Sequence, residues 1–130
     1  MTGKFSRDKG AHGERDVSAK LERELGVKFA RNLKQYQQAQ HGDIEPPCGP
    51  YLLEIKNCAS ITLPAWWRQI VTAADARGLL PCLVFKERSK WRFVVPMREA
   101  LATKQQWRND LDFTDTLFLR GFCLRVREHS

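Results

Sequence analysis

The chain lacks any apolar run long enough to cross a bilayer, because charged or polar residues interrupt every hydrophobic stretch. Its first ten residues, MTGKFSRDKG, are polar and basic and contain no apolar segment of the kind found in secretory signals. We therefore expect a protein without a membrane partner. We expect it to act in the cytoplasm of a prokaryotic cell, or in the host cytoplasm if a phage encodes it.

Cysteine is sparse and scattered, with no close pair of the kind that builds a zinc ribbon. We expect Cys48, Cys58, Cys82 and Cys123 to be reduced and mostly buried thiols, which argues against a disulfide framework and against a cysteine-rich metal site. The sequence also contains no internal repeat and no low-complexity segment. Its 130 residues are enough for one domain, residues 1–130, and too few for two.

Acidic residues are outnumbered, with 15 Asp and Glu against 22 Lys and Arg, and the formal net charge is +7. Such an excess favours a polyanionic partner, for which nucleic acid is the first candidate. Lys4, Arg7 and Lys9 stand among glycine and serine, so residues 1–12 are predicted to form a flexible basic arm. That arm either binds DNA or only makes the chain more soluble.

Hydrophobic periodicity predicts alternating helices and strands along the chain. The predicted helices cover 13–26, 62–78 and 96–107, and the predicted strands cover 27–33, 42–45, 51–57, 81–86 and 90–95, with a last strand region over 115–128. The turn cluster at 46–50 predicts an antiparallel hairpin between the second and third strands. This order predicts an α/β fold, with a mixed central β-sheet flanked by helices.

The third strand, YLLEIKN, raises the functional question. Because side chains alternate on a strand, Glu54 and Lys56 share one face, while Tyr51, Leu53 and Ile55 share the other. The pair is either a solvated charge pair or part of a metal site in which the lysine activates water.

Two further acids favour the metal site. Asp43 begins the strand that precedes YLLEIKN, and Glu14 lies at the edge of the core-facing stripe of the first helix, although it also suits the helix dipole. Two carboxylates, the Ile55 carbonyl and water would satisfy Mg²⁺, for which Mn²⁺ would substitute. Lys56 would orient or deprotonate the attacking water, and Glu14 would hold a second metal or a water molecule.

The ordered motifs GERDV, RNLKQYQQAQHGDI, YLLEIKN and PCLVFKERSKWRFVVP resemble the PD-(D/E)xK nuclease superfamily over residues 10–96. Within it, the chain is most similar to archaeal-type Holliday junction resolvases. The resemblance implies a restriction-endonuclease-like core and metal-dependent hydrolysis that leaves 5′-phosphate ends. It also implies a homodimer whose paired sites cut branched DNA, with four-way junctions as the first substrate.

The resemblance assigns roles to five residues. Glu14 matches the acid of the first helix, Asp43 and Glu54 match the two central metal ligands, and Lys56 matches the catalytic lysine. Gln69 lies where the superfamily often places a supporting glutamine. The chain departs from the resolvase pattern because the loop before Asp43 has no serine and the superfamily's proline is replaced by Gly42.

Residues 97–130 align with nothing in the family and are predicted to be a C-terminal helix and strand extension, serving as a cap or a dimer element. Arginines near the predicted site suit phosphate contacts, although ordinary surface positions explain them nearly as well. The DNA-binding candidates are Lys4, Arg7, Lys9, Arg15, Arg31 and Arg68.

Of the adjacent tryptophans Trp66 and Trp67, we expect Trp66 to pack in the core and Trp67 to be exposed. Two other functions stay open: a nuclease of this fold that acts on flap, nicked or duplex DNA, and a non-catalytic DNA-binding module. The four intact polar residues of the predicted site argue against the module.

Overall fold

The computed structural model describes residues 3–31, 44–45, 48–58 and 60–129. Its helices and strands are, in chain order, α1 (Gly3–Leu25), β1 (Ala30–Arg31), β2 (Ile44–Glu45), β3 (Tyr51–Lys56), α2 (Leu63–Ala76), β4 (Leu80–Glu87), β5 (Lys90–Pro96), α3 (Lys104–Asn109), β6 (Thr114–Leu117) and α4 (Leu119–Glu128). Short 3₁₀ turns precede and follow α3. None of the described helices is both long and apolar enough to cross a membrane.

The principal sheet has four strands in the order β3-β4-β5-β6. Strands β3 and β4 run parallel, connected by α2, whereas β5 and β6 each pair antiparallel with the strand before them. Strands β1 and β2 form a separate antiparallel pair within the described residues. The structure therefore confirms the predicted mixed α/β fold.

Helices cover both faces of this sheet and produce two hydrophobic clusters. On one face, α1 and α4 pack against odd-numbered residues of β3 such as Tyr51 and Leu53. On the other face, α2 and the region around α3 enclose Leu52 and Phe85. The alternation of faces along β3 is the arrangement that the sequence predicted.

Helix α2 follows from local signals at both of its ends. Pro64 occupies its first turn, where a missing N–H is tolerated, and Gly78 takes a φ of +67° just beyond its end. Along its inner face, Trp67 and Ile70 are buried. The prediction for the tryptophan pair was wrong, because Trp67 is the core residue and Trp66 is half-buried against Phe85. Helical geometry turns neighbours about 100° apart, so only one ring can point fully inward.

The first helix is longer than predicted, since it begins at Gly3 instead of residue 13. The backbone of residues 3–12, for which the sequence suggested a flexible basic arm, is helical. The glycines in this segment lowered its apparent helix propensity, but the segment continues a helix that already packs on the sheet further along.

The prediction of an antiparallel hairpin between the second and third strands was wrong, because the two strands do not form a regular ladder of hydrogen bonds in the described part of the chain. Strand β3 pairs with β4 in parallel, and its described link to the preceding segment is a single bridge between Cys48 and Tyr51. Within the described residues, β3 is thus at the edge of the four-stranded sheet. Of the strand predicted over 27–33, residues 30–31 are strand and residues 27–29 are not, while residues 32–33 lie outside the described part.

The C-terminal part differs most from its prediction. The helix expected over 96–107 is replaced by the end of β5, a 3₁₀ turn and the six-residue α3. The strand expected over 115–128 is strand only as far as Leu117, after which α4 begins. Gly121 lies inside α4. Strand β6 completes the sheet and α4 packs beside α1.

Candidate active site

Glu54 and Lys56 meet on one face of β3, as their spacing predicted. The Lys56 Nζ lies 3.9 Å from the Glu54 Oε2, and each side chain is about a quarter exposed (25% for Glu54 and 23% for Lys56). Between them, Ile55 points into the core on the opposite face. A carboxylate and an ammonium group are thus held next to each other on a rigid strand, at a position that solvent reaches.

A cavity of about 350 Å³ opens beside Glu54 and is lined by α2 residues. Gln69, Thr72 and Ala73 form its helical wall, which the one-turn spacing of 69, 72 and 73 produces. The Thr72 hydroxyl donates a hydrogen bond of 3.0 Å to the Arg68 carbonyl. The structure therefore brings Gln69 to the same cavity as Glu54, and the supporting role of Gln69 stays a prediction.

Glu14 is buried on α1, with only 5% of its surface exposed. The preceding residue, Gly13, packs against the end of β3, since a Cβ placed on it would lie 3.1 Å from the Asn57 Cβ. The same Cβ would lie 3.2 Å from the Trp91 ring. This close approach favours a glycine, and it places Glu14 at the end of β3 that carries Lys56. Burying a carboxylate is unfavourable without compensating contacts, so this position is consistent with a functional acid.

A second acid of α1, Asp16, connects this helix to β5. Asp16 accepts hydrogen bonds from the Trp91 indole at 2.6 Å and from Lys20 at 2.9 Å. Partial burial raises the pKa of Asp16, but these hydrogen bonds outweigh it and the net pKa is lower than the ordinary 3.8. This pair of Asp16 and Trp91 was not predicted, because its members are far apart in the chain and neither belongs to a motif.

Several predicted site residues lie outside the described part. Asp43 is one of them, together with the loop that precedes it. The side chains of Lys4, Arg7, Lys9 and Arg31 are also outside it, although their backbones belong to α1 and β1. Of the remaining DNA-binding candidates, Arg15 and Arg68 are exposed. Arg68 directly precedes Gln69 on α2.

The oxygen donors of this site suit a hard divalent cation. Carboxylates, amides and carbonyls are the groups that Mg²⁺ and Mn²⁺ prefer, and Glu54 and Gln69 present such groups to one cavity. Among the described residues, no three His, Cys, Asp or Glu side chains lie close enough together to hold a metal. Asp43 lies outside these residues. The predicted ligand set of Glu14, Asp43, Glu54 and the Ile55 carbonyl stays a prediction.

The mixed sheet, its flanking helices and the Glu-x-Lys strand define an α/β core of the PD-(D/E)xK nuclease type. A family model described as "Phage putative PDDEXK endonuclease" matches residues 5–120. The chain belongs to this family. The match confirms the superfamily inferred from the motifs, while the archaeal resolvase type stays a prediction. No curated protein and no solved structure gives a significant match to the chain.

Membership has direct consequences for activity and substrate. The chain is an endonuclease, and its substrate is DNA. PD-(D/E)xK nucleases generally use divalent metal ions.

Proposed function

We propose that this protein is a divalent-metal-dependent endonuclease that hydrolyses phosphodiester bonds in branched DNA, with the four-way Holliday junction as its first candidate substrate. The observation that carries the proposal is the placement of Glu54 3.9 Å from Lys56, beside a cavity that Gln69 also lines. A solvated charge pair alone would need neither the cavity nor a buried acid approaching the same strand end.

Each residue of the site has a distinct role in this proposal. Glu54, Asp43 and the Ile55 carbonyl hold the cation, and Glu14 holds either a second cation or a water molecule. A bound Mg²⁺, or Mn²⁺ in its place, supplies Lewis-acid polarisation of the phosphodiester and stabilises charge on its oxygens.

Lys56 positions the attacking water beside Glu54 and takes part in moving its proton. Gln69 supports the site through its amide, and exposed arginines on both flanking helices, Arg15 and Arg68, bind neighbouring phosphates. Hydrolysis with this geometry leaves 5′-phosphate ends, as the resemblance to resolvases implies.

A symmetric four-way junction needs two cuts in opposite strands, so the proposal includes a homodimer with two active sites. The +7 charge supports the association with DNA and predicts that binding weakens as salt rises. We propose that the enzyme is encoded by a phage and works in the cytoplasm of the host cell.

The test is a cleavage assay with labelled four-way junction, flap and linear duplex DNA in Mg²⁺, Mn²⁺ or EDTA. We expect cleavage only with a metal, and greatest on the junction. Glu54→Gln and Asp43→Asn should bind the junction without cutting it. Glu99→Gln is the matched control and should cut normally, because Glu99 is an exposed acid that follows the C-terminal end of β5. Metal-dependent cleavage by Glu54→Gln would refute the mechanism, and preferred cleavage of a flap would replace the junction as substrate.

A further inference from the structure

An exposed aromatic ring lies next to two cations near the β6 edge of the sheet. Phe118, between β6 and α4, is 48% exposed although large apolar side chains are usually buried. The Arg92 guanidinium carbon lies 4.5 Å from the centre of its ring, and the Lys90 Nζ lies 5.5 Å from it. The ring is therefore both accessible and held in a positively charged setting.

A cavity of about 360 Å³ adjoins this ring and is bounded by α1, the turn between β4 and β5, and the start of α4. Its walls are mainly apolar and include Trp91 and Phe118, whereas Lys20, Lys90 and Arg120 supply its positive charge. This volume is within the range of small-ligand sites. A flat apolar wall with cations around it suits a nucleotide, which has a planar base and an anionic phosphate.

The cations at this cavity are available for a phosphate. Within the described residues, Lys90 forms no ion pair with a carboxylate. Lys20 pairs with Asp16 at 2.9 Å and Arg120 with Glu24 at 3.7 Å. Arg92, which contacts the Phe118 ring but does not line the cavity, pairs with Glu87 at 3.4 Å. Such partly exposed pairs are weak, and a phosphate can share or replace them.

The cavity opens beside α1 and α4, on the sheet face opposite Glu54 and Lys56. Phe118, which also lines it, contacts Arg92, and Arg92 belongs to the same cross-strand row as Lys56. Lys56 pairs with Phe85 across β3 and β4, and Phe85 pairs with Arg92 across β4 and β5. Directly paired residues share a face, and neighbouring strands are about 4.8 Å apart, so Arg92 lies roughly 10 Å from Lys56 on the same face. That span equals about three base steps of DNA.

We propose that this cavity, termed the Phe118 pocket and formed by Lys20, Lys90, Trp91, Phe118 and Arg120, binds an unpaired nucleotide of the DNA substrate. The base stacks on Phe118, and Lys90 contacts its phosphate. This inference rests on the proposed function, since it takes DNA as the substrate cut at Lys56. Bases inside an intact duplex are stacked on their neighbours, so the pocket favours DNA with unpaired nucleotides next to the cut.

The test compares the binding of two fluorescein-labelled DNAs of equal length, one a duplex with unpaired thymine arms and one fully paired. Fluorescence polarisation is measured in EDTA with full-length Glu54→Gln protein, so that cleavage does not interfere. Phe118→Ala should weaken binding to the splayed DNA about tenfold and affect the paired duplex much less. Lys90→Gln should weaken binding to the splayed DNA and reduce its salt dependence by about one counterion.

Further variants separate stacking from a general structural effect. Phe118→Trp should keep the preference for splayed DNA, because tryptophan stacks, whereas Phe118→Leu should lose it as Phe118→Ala does. Leu124→Ala is the matched control, since Leu124 is an apolar residue of α4 that is 60% exposed and lies outside the pocket. It should bind both DNAs like the parent protein.

The proposal is overturned if Phe118→Ala weakens both DNAs equally or neither, or if Phe118→Leu binds splayed DNA like the parent. It is also overturned if Phe118→Ala converts a dimer into a monomer in sedimentation experiments, because the Phe118 pocket would then be an interface between two copies of the chain. If the protein kept its preference for splayed DNA but did not cut DNA with a metal, the result would count against the proposed function alone.

Discussion

Trp91 and Asp16 join β5 to α1 through a hydrogen bond of 2.6 Å, which the indole Nε1 donates to the carboxylate Oδ2. Lys20 occupies the other carboxylate oxygen from one turn further along the helix. Gly13 also packs against the Trp91 ring. The position of Glu14, between Gly13 and Asp16, therefore depends on this anchor.

The anchor should be pH-dependent. A carboxyl group whose pKa is lowered by folding stabilises the protein above its unfolded pKa near 3.8, and this contribution disappears as the pH falls through the folded value. We expect Asp16→Asn to reduce the free energy of unfolding by about 1 kcal/mol at pH 7 and by much less at pH 3. Urea titrations followed by tryptophan fluorescence at both pH values measure this. Asp112→Asn, at an exposed 3₁₀ turn, serves as control, and an equal loss at both pH values would contradict the prediction.

Gly13 and Gly121 should respond oppositely to alanine. At Gly13 the new Cβ would lie 3.1 Å from Asn57 Cβ and 3.2 Å from the anchored Trp91 ring, whereas at Gly121 it would meet Leu117 at an ordinary 3.6 Å. Gly13→Ala should destabilise by about 1–2 kcal/mol through overpacking, despite the better helix propensity of alanine. It should also lower DNA cleavage, because α1 and Glu14 must shift.

Gly121→Ala should instead stabilise the protein by about 0.5–1 kcal/mol, because alanine is the better helix former at a site with room for its methyl group. Thermal unfolding followed by circular dichroism measures both variants. A stabilised and fully active Gly13→Ala protein would show that the contact with Asn57 does not fix α1.

The parts of the fold that sequence predicted well are those that local rules determine. The alternation along β3 determines which face Glu54 and Lys56 share, and Pro64 and Gly78 mark the ends of α2. The parallel pairing of β3 with β4 was also within reach, because a strand, a helix and a strand of these lengths favour a parallel crossover. The proline-rich turn at 46–50 favours a hairpin instead, and the structure shows the parallel pairing.

The C-terminal helix was mispredicted because its sequence carries two patterns. Alternating apolar residues from Leu117 onward suggest a strand, but Phe122 and Val126 are spaced four apart and are buried on one side of α4. The choice is made by distant contacts. Arg125 donates to Asp115 at 2.8 Å and packs at the end of β5, where its NH1 donates to the Pro96 carbonyl. No local rule predicts such contacts.

The candidate site divides in the same way. Spacing along one strand predicted the pair Glu54 and Lys56, whereas the approach of Glu14 depends on the contact between Gly13 and Asn57, on separate elements. Phe118 was missed because it belonged to a predicted strand and its neighbours Lys90 and Arg92 lie on another element.

Thiol reactivity offers a test of the core. Cys48, Cys82 and Cys123 are buried and Cys58 is exposed, in agreement with the predicted reduced thiols. Burial raises the pKa of the Cys48 thiol to about 12 and that of the Cys123 thiol to about 11. At pH 8 one thiol should react rapidly with Ellman's reagent in the native protein, and four should react in urea. Cys58→Ser should remove the rapid phase, and two rapid thiols would contradict the burial of the others.

The C-terminal extension should be necessary for folding. Trp107 is 1% exposed, contacts the Trp67 ring edge-on and accepts a hydrogen bond of 2.8 Å from its indole at the backbone carbonyl. Trp107→Ala should destabilise the protein by about 3–5 kcal/mol, because it leaves a large cavity. Trp107→Phe keeps an aromatic ring and should therefore lose clearly less stability. If a chain ending at residue 96 unfolded cooperatively, residues 97–130 would be a separate cap instead of part of the core.

The chemistry is tested most directly at Lys56. If its amine moves a proton of the attacking water, arginine cannot replace it, because a guanidinium stays protonated at every usable pH. We expect both Lys56→Met and Lys56→Arg to lower the single-turnover cleavage rate by about 100-fold or more, with junction affinity changed far less. Lys28→Met, an exposed lysine after α1, is the control and should cut normally. Near-normal cleavage by Lys56→Arg would mean that a fixed positive charge beside Glu54 is sufficient, and the proton would then have to leave through water.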